Sequence, residues 1–181
     1  MKKFFWIFLF VFLTNKGFAS IKEKIIQNLE NIDNVSFNFE QNINGKLETG
    51  KCTIQYPKKI FCKYKLGNQK ILVSDGNSLV IKTTSSYYLY PLDKTPLNFI
   101  LDKDFLLMKI KKVNQDFKDD NFIIYKFFEN ENEINIVFNT KTHNLVGWQT
   151  IDIYQNLSMT YLSSVIINQD IKKNLFYLPK K

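Results

Sequence analysis

The stretch Cys52-Thr53-Ile54-Gln55-Tyr56-Pro57-Lys58-Lys59-Ile60-Phe61-Cys62-Lys63-Tyr64 decides the fold. Before Pro57, Cys52, Ile54 and Tyr56 alternate with Thr53 and Gln55; after it, Ile60, Cys62 and Tyr64 alternate with Phe61 and Lys63. Successive side chains of a strand point to opposite faces, so this period of two predicts two half-buried strands joined by a tight turn. Centring the turn on Pro57 sets Tyr56 opposite Lys58, Ile54 opposite Ile60 and Cys52 opposite Cys62. Both cysteines then share a face with Ile54 and Ile60. In an oxidising compartment such a pair is expected to form a cross-strand disulfide. Closing a loop of about 11 residues would stabilise by about 2.5–3 kcal/mol in the chain-entropy model. The spacing is too long for the Cys-x-x-Cys arrangement of a redox pair. Zinc is poorly served by one His and no further Cys.

The same period extends in both directions. Val35, Phe37 and Phe39 alternate with Ser36, Asn38 and Glu40. Lys70–Ser74 and Leu79–Thr83 are joined through Asp75-Gly76, a tight-hairpin signal because Gly accepts positive φ. Tyr87–Tyr90 ends at Pro91, and Phe122–Phe128, Ile134–Phe138, Leu145–Ile153 and Ser158–Ile167 follow, with turns at Asn130–Asn132 and Asn139–His143. About ten short strands in a meander indicate a barrel or a sandwich. Two segments depart from period two. Ile21, Ile25, Leu29 and Ile32 form one apolar helical stripe, opened by Ser20 and Glu23 at capping-box spacing. Thr95-Pro96-Leu97-Asn98-Phe99-Ile100-Leu101 has a cap residue, Pro at the first helical position and a helical apolar grouping, so a short helix should cover one mouth or face of the sheet. Lys103–Val113 reads equally as helix or strand. No repeat, low-complexity tract or linker appears, so residues 20–181 are expected to form one domain.

The N-terminus reads as a signal for export. Lys2 and Lys3 precede an apolar run, Phe4 to Leu13, and Gly17-Phe18-Ala19 is a small-x-small cleavage site. The run is well short of the about 20 residues that a membrane span needs. The mature chain is expected to begin at Ser20, without a lipidation Cys at the cleavage point. Cleavage removes three lysines and no acids, leaving 22 Lys against 17 acids. The chain contains no Arg, the residue that supplies bidentate base and phosphate contacts, so nucleic-acid binding is not expected. The lysines suit anionic headgroups or an acidic partner, or serve solubility alone.

Residues suited to catalysis are scattered. His143, the single His, lies in a polar turn without partners for a catalytic or metal role. Ser74-Asp75-Gly76 lacks the Gly-x-Ser-x-Gly frame, and its turn explains it. Asp102 with Asp104, and Asp119 with Asp120, read as surface carboxylates. No Gly-rich phosphate loop occurs. No enzyme activity and no cofactor are expected. What the chain offers is apolar area. Phe37, Phe39, Ile54, Tyr56, Ile60, Tyr64, Ile71, Val73, Leu79, Ile81, Tyr88 and Tyr90 make one continuous face if their strands are neighbours. Period two reports burial, not what fills the space, so packed core and ligand cavity both remain open.

In order along the chain, Val35 to Gln41, Gly50, Tyr56-Pro57, Gln69 to Leu79, Thr95-Pro96-Leu97, Tyr161 to Ser164 and Asn174 to Pro179 resemble the periplasmic outer-membrane lipoprotein carrier family (LolA). The resemblance implies an unclosed, strongly curved antiparallel β-barrel with an N-terminal helix and a short lid helix over the open side. It implies that the apolar face named above is a cavity for the acyl chains of lipoproteins, with Leu97, Ile100 and Leu101 on the lid. The implied partners are an inner-membrane ABC exporter that releases the lipoproteins and an outer-membrane receptor that accepts them. A monomer is the expected state. One position departs from the family, where an Arg before Pro is thought to latch the lid: Tyr56 stands there, with a hydroxyl but no fixed charge. A sensor or receptor of the same fold, without shuttle activity, is the alternative reading.

Overall fold

The hairpin around Pro57 forms in the register that its alternation requires. Strand β2 (Lys46–Gln55) pairs with β3 (Lys59–Tyr64), setting Ile54 opposite Ile60 and Cys52 opposite Cys62. The two cysteines are joined as a disulfide. The structure is a computed structural model that describes residues 19–65, 68–129, 132–151 and 155–181. The export signal read in residues 1–18 lies outside the described residues, as does Ile153 of the expected Leu145–Ile153 strand.

Around this hairpin the strands build one antiparallel sheet. They are β1 (Asn34–Ile43), β4 (Ile71–Asp75), β5 (Ser78–Lys82), β6 (Tyr87–Pro91), β7 (Phe117–Lys118), β8 (Phe122–Glu129), β9 (Asn132–Asn139), β10 (Leu145–Ile151) and β11 (Leu157–Ile167), beside β2 and β3. Their order is β6-β5-β4-β3-β2-β1-β11-β10-β9-β8-β7. Every neighbour in space is a neighbour in sequence except β1 and β11, which join the first half of the meander to the second. The sheet does not close, because β6 and β7 are both edges. At the β4–β5 turn Gly76 adopts φ +110°, and Asp75 Oδ1 accepts from the backbone N–H groups of Asn77 and Ser78. This is the Asx turn that the Asp-Gly pair leads one to expect.

The chain passes from one edge to the other through helices. A single 3-10 turn (Leu92–Lys94) leads to α2 (Leu97–Ile100) and α3 (Lys103–Lys112). The ambiguous segment is therefore helical. Asp102 caps it by accepting from the N–H of Phe105 at 3.0 Å. At the N-terminus, α1 (Ile21–Glu30) is opened by the Ser20/Glu23 capping box. The two longer helices cap each other. Lys22 donates to the carbonyls of Lys111 and Val113 at 2.9 Å, and Lys103 donates to those of Glu30 and Ile32 at 3.1 and 3.0 Å. An ammonium at a helix C-terminus satisfies orphan carbonyls and opposes the negative end of the dipole. Among the described residues, no helix is long and apolar enough to cross a membrane.

The inner face of the sheet and the helices share one hydrophobic core. Ile25 and Leu29 of α1, and Leu106 and Ile110 of α3, are buried with Ile123, Tyr125, Ile134, Ile136 and Phe138 from β8 and β9. On the outer face, strand pairing forms a row Ser36, Thr53, Phe61, Val73, Val80 and Leu89. The C-terminal tail crosses this face. Its Gln169 side chain bonds Ser36, and Lys180 accepts from Lys82 at 2.6 Å. Between those anchors Phe176 is buried, as are Val73 and Val80, and none of the three belongs to the main core.

Candidate functional site

Reading the registers across the inner face gives rows of side chains stacked along the lumen. The first row is Val35, Ile54, Ile60, Ser74, Leu79 and Tyr90; the second is Phe37, Cys52, Cys62, Leu72, Ile81 and Tyr88. The third is Leu162, Phe39, Gly50 and Tyr64. Gly50 belongs there because the Phe39 ring lies over it: a Cβ on Gly50 would stand 2.6 Å from Phe39 Cε1. Phe39 in turn meets Tyr64 edge to face, with ring centroids 5.0 Å apart. The fourth row changes chemistry, with Trp148, Thr160, Gln41 and Glu48 in register across β10, β11, β1 and β2.

A cavity of about 160 Å³ runs along these rows. Its apolar wall is Phe39, Ile60, Tyr64, Leu72, Leu79, Ile81 and the Cys52–Cys62 disulfide. Thr95, Pro96 and Leu97 cover it from the start of α2. Gln41, Lys70, Thr150, Ser158 and Thr160 line its other end together with Ile43, Trp148 and Ile151. There Gln41 Nε2 donates to Ser158 Oγ at 2.9 Å and to Thr160 Oγ1 at 3.2 Å. Lys70 pairs with Glu48 at 2.7 Å and lies 4.1 Å over the Tyr64 ring. Burial, and secondarily the charge of Glu48, push the Tyr64 hydroxyl above its ordinary value, so it stays neutral.

Apart from Tyr56, the residues expected on the cavity face divide into four groups. Phe39, Ile60, Tyr64, Leu79 and Ile81 line the cavity. Phe37 and Ile54 share its face but are packed in the core, Phe37 against Trp148 at 6.1 Å between centroids. Tyr88 and Tyr90 extend the same face to the edge strand, where Tyr88 is 47% exposed. Ile71 and Val73 point the other way. Val73 pairs with Phe61 and Ile71 with Lys63, both on the outer face. The expectation followed their apolar identity, whereas the tight Asp-Gly hairpin pairs Leu79 with Ser74 and so puts Leu72 inward. That register was available from the turn, and it would have found Leu72. Gln41, Lys70, Thr150, Ser158 and Thr160 had no signal in an apolar pattern.

Of the lid residues, Leu97 touches the cavity, while Ile100 and Leu101 are wholly buried in the core. Tyr56 packs beside Leu29, Ile32 and Val35. Burial raises its hydroxyl above the ordinary phenol value. The connection to the lid is made two residues later. The Lys58 N–H donates to Leu101 O at 2.8 Å, and Lys58 Nζ lies 3.4 Å from Asp102 Oδ2. Lys58, the residue after Pro57, thus bonds the α2–α3 junction through its backbone and its ammonium.

Comparison with known proteins accords with this architecture. No curated protein sequence matches the chain significantly. Among solved structures, MucB is 10% identical over 89% of this chain and 64% of its own, with a TM-score of 0.51. The MucA/MucB complex of Pseudomonas aeruginosa matches at 9% identity, 89% and 62% coverage and a TM-score of 0.50. An uncharacterized conserved protein from Thermus thermophilus matches at 7% identity, 89% and 96% coverage and a TM-score of 0.50. The chain spans less than two thirds of the MucB chains. At such identities the likeness is one of fold alone. The sequence itself matches a family model, that of the outer membrane lipoprotein carrier protein LolA, over residues 30–179. With most of its length matched, the chain belongs to the LolA family.

Proposed function

We propose that the protein is a periplasmic carrier that shields the acyl chains of lipoproteins in the cavity beneath α2, taking them from an inner-membrane ABC exporter and passing them to an outer-membrane receptor. It is exported with its first 19 residues removed, and it performs no chemistry on its cargo. The observation that carries this reading is the division of the lumen. Ile25, Leu106, Ile110, Ile134 and Ile136 under α1 and α3 are fully buried in the core, while Ile60, Leu72, Leu79 and Ile81 line a cavity beneath Leu97. Apolar walls left unfilled forfeit dispersion contacts that a chain of methylenes would supply. Each buried methylene of an acyl chain contributes about 0.8 kcal/mol. Contacts of this kind are non-directional and tolerate varied cargo.

Spheroplasts loaded with lipoprotein test the proposal when mixed with the purified protein. A carrier brings lipoprotein into the soluble fraction, and Ile81→Glu, at a half-buried position on the cavity wall, abolishes that release while the protein stays folded. Wild-type release by a folded Ile81→Glu protein would remove this cavity from the function. The second reading is a sensor of lipid or lipoprotein, favoured by the fold shared with MucB, which is solved in complex with MucA. A sensor binds acyl chains in the same assay and releases nothing.

A further inference from the structure

The lumen changes character along its length. The rows containing Ile60, Cys62 and Leu79 lie near α2. Past Phe39 and Tyr64 the lining includes Gln41, Lys70 and Thr160, with Ser158 and Thr150 beyond, a polar cluster set beside Trp148, Ile43 and Ile151. Thr150, Ser158 and Thr160 are buried, so these hydroxyls are not surface decoration. An ordinary barrel core would be apolar here, since a buried polar group costs stability unless it is bonded. The hydroxyls of Ser158 and Thr160 each accept from Gln41, which leaves their own protons as donors toward a neighbour. Lys70 contributes further N–H donors, and its charge is matched by Glu48 at 2.7 Å, while Lys46, the second cation on Glu48 at 3.5 Å, is largely exposed and screened by solvent. The row is therefore rich in donors and close to neutral.

We propose that this polar row takes the uncharged ester or amide carbonyl that links an acyl chain to its headgroup, with the chain running from there toward Leu79 and Leu97. The inference rests on the carrier reading and adds to it a direction of cargo entry and a ligand class. A carbonyl needs only O–H and N–H donors, and the row supplies them. A free carboxylate would approach Glu48 and find Lys70 already paired. The site thus selects esterified or amide-linked chains over free fatty acids and over plain hydrocarbon.

Displacement of a pyrene-labelled acyl ester from the full mature protein tests this, with methyl laurate, laurate and tridecane as competitors at pH 8. Methyl laurate is expected to compete about fivefold better than tridecane, the worth of one net hydrogen bond, and better than laurate. Gln41→Leu and Thr160→Val, which keep side-chain size, should bring methyl laurate to within about twofold of tridecane while leaving tridecane unchanged. Glu48→Gln frees the Lys70 charge and should turn the preference toward laurate. Equal competition by ester and hydrocarbon in the wild type overturns the inference, as does a wild-type preference for laurate. The wild-type comparison decides the matter even if a variant fails to fold. Failure of the labelled ester itself to bind would instead overturn the carrier reading beneath it.

Discussion

A Cβ on Gly50 would stand 2.3 Å from the carbonyl oxygen of Lys63 as well as 2.6 Å from Phe39 Cε1. The first of these is backbone in a paired strand and has little freedom to move. Gly50→Ala should therefore lower the unfolding free energy by about 2–3 kcal/mol, the range of overpacked cores. A urea midpoint unchanged from wild type would show that the strand and ring relax together. Asp102 carries two separable roles. It caps α3, and it pairs with Lys58 across half-exposed side chains, 37% and 27% accessible for Lys58 and Asp102. Asn caps as well as Asp. Asp102→Asn should thus cost no more than a few tenths of a kcal/mol, because solvent screens the pair. Asp102→Ala loses the cap too and should cost about 1 kcal/mol more. Equal losses for both variants would place the stabilisation in the ion pair. Neither residue's role is visible in its immediate sequence. Gly50 reads as an interruption of a strand, and Asp102 as one of two surface acids, until the elements around them are placed.

Elements whose own pattern settles their packing were legible, and the β2–β3 hairpin is the clearest. Period two, one Pro and two cysteines suffice to set its register and its disulfide, because every interaction involved is local. The bridge should contribute about 2–3 kcal/mol through the loop it closes. A Cys52→Ala/Cys62→Ala double variant should unfold at correspondingly lower denaturant, with the same helical content before the transition. Equal midpoints would mean that the hairpin is as constrained in the unfolded chain without the bridge. α3 was not legible in the same way. Phe105, Leu106, Leu107 and Ile110 are interspersed with lysines in a pattern that suits either period, and the choice is made by the Asp102 cap and by packing on α1. The C-terminal strap had still less to read. It has no regular structure between Gln169 and Lys180, and the run Leu175-Phe176-Tyr177-Leu178 is too short to show a period. Its place is dictated by the exposed apolar row that Phe61, Val73 and Val80 would otherwise leave on the outer face. Phe176→Ala should accordingly cost about 3 kcal/mol, the low end for a buried Phe. A thermal midpoint within a degree or two of wild type would show the strap to be only loosely laid.

For the whole molecule, capacity decides how the cavity works. The cavity measures about 160 Å³. Two whole acyl chains of about 15 methylenes would represent about 24 kcal/mol of gross burial. Ligand sites for small molecules commonly reach about 300 Å³ or more. A whole acyl chain therefore needs more room than this cavity offers. The sheet lacks a covalent or hydrogen-bonded closure between β6 and β7, and only the connection through α2 and α3 joins those edges. Room can be made by moving that connection, at the cost of the half-exposed Lys58–Asp102 pair and the Lys58–Leu101 backbone bond. On the proposed carrier reading, work spent moving α2 offsets part of the gain from shielding methylenes, so the cargo can leave again. Loading should therefore raise amide exchange at Leu97–Leu101 and leave β8 and β9 protected, since the core under α1 and α3 need not open. Lys58→Met, which removes the ammonium and keeps the stem, should raise exchange at the same amides before any cargo is added. Uniform protection across α2 in the loaded protein would mean that acyl chains are held somewhere other than beneath it.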